Sequence, residues 1–475
     1  MSGQGQAVGT ALAELGRVHF VGVGGVGMSA VARVMVARGV PVSGSDAKDL
    51  PVMRDLAALG ARIAVGYDAA HVGDANTVVV GSAIRSDNPE VGEARARGLR
   101  ILHRSQGLAA AMAGNRVLAV AGTHGKTTTT SMATWMLRGA GLDPSFAIGA
   151  NVPALGVNAA HGTTDVFVAE ADESDGSFLN YRPLVEVITN VEADHLDHYG
   201  TAEAVHAAFD DFAGLLPDEG LLVACADDDG ARGVAERRRS TAGGTGPRVI
   251  LYGTADDADV RLASDSGGTF LAWDDRRFEL PLAVPGLHNA RNAAGAFAAV
   301  VLGLGVDPER AAAALATFSG AARRFEFKGE VGGVRVYDDY AHHPTEVRAA
   351  LAAARSVAGP GRVHVLFQPH LFSRTREFSA EFAEALSAAD SVRVLDIYPA
   401  REDPIPGVTS ELITTALPPG AYAPSPVDAV RAIASDAAAG DIVITVGAGD
   451  VTAQGPAILE ALREREVGGE GRHVT

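Results

Sequence analysis

Short apolar runs, each ending in glycines or polar side chains, recur along this chain and alternate with stretches of helical spacing. Residues 17–23 (RVHFVGV), 40–43, 63–65, 77–80 and 101–102 read as strands of a first part. Residues 117–120, 165–169 and 185–190 read as strands of a second, and 334–337, 363–367, 392–397 and 442–446 as strands of a third. Helical runs at 29–38, 132–137 and 204–216, and an alanine-rich one after Pro285 and Gly286, lie between them. Strands that alternate with helices predict three consecutive Rossmann-like α/β domains, over residues 1–114, 115–320 and 321–475. Residues 237–247 (RRRSTAGGTGP) are expected to form an exposed loop, and residues 463–475 a frayed end.

The polar ends of these strands carry the chemistry. Residues 117–130, VLAVAGTHGKTTTT, read as a buried strand, a tight turn from Gly122 to Gly125 and a helix starting at Lys126. Such a turn points backbone N–H groups at an anion and the helix N-terminus adds partial positive charge. Lys126 would reach terminal phosphates and Thr127 would offer a hydroxyl to Mg2+. Val120 stands where a G-x-x-x-x-G-K-[ST] loop carries its first glycine, so this loop is shorter. The central domain is therefore expected to be a P-loop ATPase-type, mostly parallel sheet.

Further acidic and polar groups leave neighbouring strands. Glu170, Asp172, Glu173 and Asp175 in EADESDGSF are placed for Mg2+ or form a solvated acidic turn. His195, beside Asp194, is a poor Mg2+ ligand alone but with Glu170 makes a second metal site. His288, Asn289 and Asn292 could meet a base or ribose, or could cap the helix that follows. In the first part, Gly22, Gly24, Gly25 and Gly27 precede a helix, Asp46 ends the next strand and Ser82 follows a third. That turn fits NAD, another diphosphate or a purely structural role. Arg323 and Arg324 could clamp a phosphate, and Asp338, Asp339, Tyr340, His342 and His343 cluster after a strand.

Composition narrows the partners. Lys plus Arg number 40 against 58 Asp plus Glu, a formal charge of -18, which opposes sequence-independent binding to nucleic acid or anionic membrane. Lys126 is one of three lysines, with Lys48 and Lys328, and Cys225 is the single cysteine. The first ten residues have no leader pattern and no apolar run approaches the ~20 residues of a membrane span. A cytoplasmic protein, monomeric or weakly homodimeric, with no nucleic-acid partner and no membrane insertion, is expected.

Taken together, GTHGKTTTT, EADESD, NVEADHLDHY, PGLHNARNA, RRFEFKG, DDYAHHPTEV, FQPHLFSRT and YPAREDPIPG resemble the Mur ligases of peptidoglycan synthesis, in family order across nearly the whole chain. The resemblance implies ATP-dependent ligation of L-alanine to the carboxylate of UDP-N-acetylmuramate through an acyl phosphate, with Mg2+. By the same resemblance, Gly22, Gly24, Gly25, Gly27, Met28, Ser29, Asp46 and Ser82 hold the UDP substrate. Gly122, Thr123, His124, Gly125, Lys126, Thr127 and Thr128 hold the ATP phosphates. His288, Asn289 and Asn292 lie by adenine and ribose, Arg324 at the γ-phosphate and Asp339 at the nucleotide. Thr127, Glu170 and His195 bind metal, with Lys126, Glu170, His195 and Arg324 as the catalytic group. His343, His370 and Arg374 line the amino-acid site, and His342 or His343 could take the amine proton.

The chain departs from the family in three ways. No lysine lies between Lys126 and Lys328 to serve as the carboxylated metal-site lysine of sibling enzymes. Leu287 and Leu371 stand where basic residues are common, and Ala341 replaces a usual glycine. Ligation of a preformed tripeptide is the nearest rival activity; a nucleotide-dependent dehydrogenase and a non-catalytic nucleotide sensor are more distant.

Overall fold

The computed structural model describes residues 12–241, 246–400 and 402–470. Three sheets follow one another along the chain. The first has five parallel strands, β1 (Val18–Val21), β2 (Val42–Asp46), β3 (Arg62–Val65), β4 (Thr77–Val80) and β5 (Arg100–His103), in the order β3-β2-β1-β4-β5. Its helices include α1 (Val26–Ala37), α2 (Pro51–Ala58), α3 (Pro89–Ala96) and α4 (Arg104–Met112).

The second sheet has ten strands: β6 (Arg116–Ala121), β7 (Ser145–Ala147), β8 (Ala159–Ala160), β9 (Val166–Glu170), β10 (Val185–Ile188), β11 (Leu221–Cys225), β12 (Arg248–Gly253), β13 (Val260–Asp265), β14 (Gly268–Trp273) and β15 (Arg276–Glu279). Their order is β15-β14-β13-β12-β11-β10-β6-β9-β7-β8. Seven of its strands, β13 to β7 in that order, are mutually parallel, and β6, β9, β10 and β11 are buried nearly throughout, which gives them short apolar runs. The β13 to β15 meander is antiparallel, and Asp274 and Asp275, both at positive φ, form the two-residue turn between β14 and β15. β11 (LLVAC) and β12 (RVILYG) also carry apolar runs, though they are not among the expected strands, and the apolar spacing does not announce β7, β8 or β13 to β15.

The third sheet comprises β16 (Glu326–Val331), β17 (Val334–Asp339), β18 (Val363–Phe367), β19 (Ser391–Val394) and β20 (Ile442–Val446), ordered β16-β17-β20-β18-β19 with only β16 antiparallel. Gly332 and Gly333, at φ +56 and +74, make its hairpin. Separate apolar clusters cover its two faces, one around Val365, Phe367 and Ile444, the other around Val336, Leu366 and Val443. The chain divides into two compact units, one of residues Met1–Ala283 and Ala290–Ser319, the other of Val284–Asn289 and Gly320–Thr475. The first two sheets therefore share a unit.

Two expectations need correction. Residues 237–241 are not loop but the end of the helix Asp229–Thr241; alanine and arginine favour helix, and Arg237 pairs with Asp210. Residues 242–245 lie outside the described residues. The final helix, Gln454–Glu470, continues well past residue 463 because Ile458, Leu459 and Leu462 pack in the third sheet's core; residues 471–475 lie outside the described residues.

Candidate active site

Register decides which loops meet. In the second sheet β6 lies between β10 and β9, with Ala121 beside Ile188 and Val120 beside Glu170. Parallel strands end on one edge, so the phosphate loop, the acidic loop and the loop after β10 emerge side by side. The first sheet does the same with Gly22, Asp46 and Ser82, and the third with the loops after Asp339, Phe367 and Val446.

The phosphate loop is held by its neighbours. Thr123 N–H donates to Asn190 O at 3.1 Å, His124 N–H to Asn190 Oδ1 at 2.8 Å, and Thr189 Oγ1 to His124 O at 2.5 Å. Gly125, at φ +82, is the N-cap of α5 (Lys126–Gly139), and a Cβ there would stand 2.6 Å from Asn292 Oδ1. Asn292 thus lies against the loop. In α5, Thr130, Ser131 and Thr134 each return a hydroxyl to the carbonyl four residues back, so most of this buried helix face is satisfied within the helix, while the buried Thr129 hydroxyl has no hydrogen-bond partner among the described residues.

Lys126 Nζ donates to Gly122 O at 2.6 Å, to Thr123 O at 3.1 Å and to Glu173 at 2.8 Å. Burial alone would depress this ammonium, but Glu173, Asp172 and Glu170 raise it and keep it charged. Burial pushes the Glu173 carboxyl up to about 7 against the pull of Lys126. Thr127 Oγ1 donates to both Glu170 oxygens, at 3.1 and 3.0 Å, and Glu170 also accepts the Gly149 N–H at 2.7 Å. A hydroxyl and a carboxylate, hard oxygen donors beside a phosphate loop, fit Mg2+. His195, at φ 56, reaches Glu173 and Asp194, each at 3.7 Å.

Asp172 and Asp175 make no hydrogen bond within this group, although the charge of Asp172 still reaches Lys126. Asp172 accepts from Arg104 Nη2 at 3.1 Å and Asp175 from Ser82 Oγ at 2.7 Å, so the second half of the acidic loop ties the central sheet to the first domain. A short acidic motif gives no sign that alternate carboxylates point to different domains.

On the first sheet, Asp46 Oδ2 accepts the Gly24 N–H at 3.0 Å, fixing the glycine turn from the neighbouring strand. Met28 and Ser29 are buried, and the Ser29 hydroxyl returns to Val26 O, so what these two offer a ligand is backbone. Beneath lies a buried network that sequence reading missed. Glu90 accepts from Ser45 Oγ at 2.5 Å and the Asp68 N–H at 3.2 Å, and is hydrogen-bonded to His19 at 3.2 Å and His71 at 3.1 Å. Burial would raise its carboxyl, but the bonds from His19 and Ser45 carry it below the usual range. His19 in β1, with Ser43 and Ser45 at alternate positions of β2, was the available signal.

In the C-terminal unit, Asp339 accepts N–H groups of Phe325 and Ala341, both at 2.8 Å, while burial pushes its carboxyl up to about 6. Arg323 is not a free clamp: it lies 3.3 Å from Asp338 and donates to Gly447 O and Gly449 O. Arg324 lies over the Tyr340 ring and 3.8 Å from Glu346. His343 caps the helix Pro344–Ala358, His370 stacks on Tyr398, and Arg374 is buried in the helix Phe372–Glu377. His342 Nδ1 lies 3.1 Å from Glu346. The helix Leu287–Ala298 begins before His288, so His288, Asn289 and Asn292 sit inside it rather than ahead of it; Asn289 donates to Pro285 O at 2.6 Å. His288 and Asn289 group with the C-terminal unit and Asn292 with the other.

A fused series of α/β domains with a phosphate loop and carboxylates on adjacent strand ends defines a nucleotide-dependent enzyme class. Three family models match in chain order: "Mur ligase family, catalytic domain" over residues 17–116, "Mur ligase middle domain" over 120–300 and "Mur ligase, glutamate ligase domain" over 323–449. The chain belongs to the Mur ligase family and is an ATP-dependent ligase. It is 70% identical over 454 residues to the UDP-N-acetylmuramate–L-alanine ligase of Paenarthrobacter aurescens, covering 95% of this chain and 98% of that one. The enzyme of the same name from Kineococcus radiotolerans is 54% identical, with 98% and 100% covered. Among solved structures, the UDP-N-acetylmuramate-alanine ligase of Thermotoga maritima matches with TM-score 0.76 at 28% identity, covering 94% and 99%. A murein peptide ligase from Psychrobacter arcticus matches with TM-score 0.68 at 27% identity, covering 94% and 98%.

Proposed function

We propose that this chain joins L-alanine to the lactoyl carboxylate of UDP-N-acetylmuramate, releasing ADP and phosphate, as a cytoplasmic step of peptidoglycan precursor synthesis. The observation that carries the reading is the convergence of Lys126, the Thr127–Glu170 pair and His195 around a phosphate loop, in a chain so similar to ligases of that name. Among the described residues no helix is long and apolar enough to cross a membrane.

The domains divide the work: residues 1–114 hold the UDP substrate at the glycine turn, 115–320 hold ATP, and 321–475 supply nucleotide and amino-acid contacts. Lys126 exchanges the carbonyls of Gly122 and Thr123 for phosphate oxygens, and Arg324 adds a second positive charge at the γ-phosphate. Thr127 with Glu170 would hold one Mg2+ and Glu170 with His195 a second metal, which would supply positive charge against the transferring phosphoryl group. The lactoyl carboxylate attacks the γ-phosphorus and ADP leaves, giving an acyl phosphate. The neutral amine of L-alanine then attacks the acyl carbon, loses its proton, and the tetrahedral intermediate expels phosphate. His343, His370 and Arg374 orient that amino acid.

The test is ADP release from ATP, Mg2+ and UDP-N-acetylmuramate, with L-alanine or with a preformed L-Ala-D-Glu-containing tripeptide. Turnover that depends on L-alanine supports the assignment. Turnover with the tripeptide alone transfers the chain to the peptide-ligating reaction.

A further inference from the structure

Arg104 opens α4, at the end of β5, and its side chain is only 22% exposed. It lies flat on the first turn of α1: a Cβ at Gly27 would stand 2.8 Å from its Nη1, 3.0 Å from Cδ and 3.3 Å from Cζ. The absence of a side chain at Gly27 lets this guanidinium come close to the helix backbone. Nη2 donates to Asp172 at 3.1 Å, and among the described residues this is the side chain's only hydrogen bond. A guanidinium carries five N–H donors.

A cation at a helix N-terminus is electrostatically disfavoured unless an anion joins it. Here the cation is paired by Asp172 on one edge while the other faces the glycine turn. Three further ties flank it: Asn158 Nδ2 to Val26 O at 3.1 Å, Asn180 Nδ2 to Ser105 Oγ at 2.9 Å and Ser82 Oγ to Asp175 at 2.7 Å. The glycine turn and the acidic loop are thus bound together through this one corner.

We infer that Arg104 binds the diphosphate of the UDP substrate with one edge and Asp172 with the other, making it a positioning residue that links the occupied first domain to the acidic loop beside the phosphate loop. The inference rests on the reading that the glycine turn holds a UDP sugar. An anion at Gly25 to Gly27 completes the charge balance at the end of α1 and immobilises Arg104. Asp172, two residues after Glu170, is then held in turn.

Calorimetric titration of UDP, of UDP-N-acetylmuramate and of a non-hydrolysable ATP analogue tests this on wild type, Arg104→Ala, Arg104→Lys and Asp172→Asn. Arg104→Ala is expected to weaken both UDP and UDP-N-acetylmuramate about tenfold to a hundredfold, with Arg104→Lys recovering part of the loss. The ATP analogue alone should bind wild type, Arg104→Ala and Arg104→Lys alike. Asp172→Asn should keep UDP affinity within about threefold, lower kcat and bring the effect of UDP-N-acetylmuramate on analogue affinity close to one. Wild-type affinity for UDP in Arg104→Ala overturns the inference, and so does a loss confined to UDP-N-acetylmuramate, which would place the carboxylate there instead. Unchanged coupling in Asp172→Asn overturns the link. If wild type binds neither UDP nor UDP-N-acetylmuramate, the reading of the glycine turn itself fails.

Discussion

Single residues near the phosphates act through charge and space. Lys126→Ala and Glu170→Ala should each cut phosphate release by about a hundredfold or more, since each removes a group that the proposed mechanism uses at the transferring phosphoryl. Binding of UDP-N-acetylmuramate, measured by calorimetry, should survive both; near-normal turnover of Glu170→Ala would remove it from the metal site. Gly125→Ala places a methyl 2.6 Å from Asn292 and strains a left-handed position by about 1–2 kcal/mol, so ATP-analogue affinity should fall roughly tenfold or more in titration. Glu186, in the middle of β10, is fully buried, faces Arg238 electrostatically, and neither oxygen has a hydrogen-bond partner among the described residues. Burial raises its carboxyl well above 4.5, so the folded chain holds a proton there that the unfolded chain has lost. Stability should therefore fall as pH rises from 4.5 towards the raised native value, by at most about 1.4 kcal/mol per pH unit. Glu186→Gln should flatten that slope in urea titrations at several pH values, and an unchanged slope would sink the account.

At the scale of elements, the parallel strand ends do the assembling. Asp46, Ser45, His19 and Glu90 come from β2, β1 and α3: Asp46 holds the glycine turn, and Glu90 joins Ser45 to His19. Glu90→Ala leaves His19, Ser45 and His71 without their common acceptor and should cost about 3–5 kcal/mol of stability by chemical denaturation. Because the Glu90 carboxyl is depressed, its contribution is present above 4.5 and lost as pH falls through the lower native value, the opposite sign to Glu186. The strands that bear loops were legible because buried parallel strands are continuous apolar runs with small polar stops. The β13 to β15 meander was not, because its strands carry exposed Arg261, Arg276 and Arg277, the last two on opposite faces, and lack that contrast.

At the scale of the whole molecule, two compact units with separate cores predict more than one unfolding transition. UDP-N-acetylmuramate should raise only the transition of residues Met1–Ala283 and Ala290–Ser319, which contain Gly22 to Ser29, Asp46 and Ser82. At a hundred times its Kd the ligand should add about 2.7 kcal/mol to that transition in calorimetry, and an equal shift of both would contradict the assignment. The sequence by itself determined the chemistry on offer: a glycine turn with one lysine at its end, carboxylates after strands, and the order of three α/β domains. Those features are local, set by spacing and by which residues tolerate a tight turn. Only the tertiary structure decided the pairings. The register of β6 between β9 and β10 put Thr127 on Glu170, and the packing of α4 against the acidic loop gave Asp172 to Arg104. Contacts between residues 68 apart in the chain depend on how elements stack, and no short stretch encodes that distance.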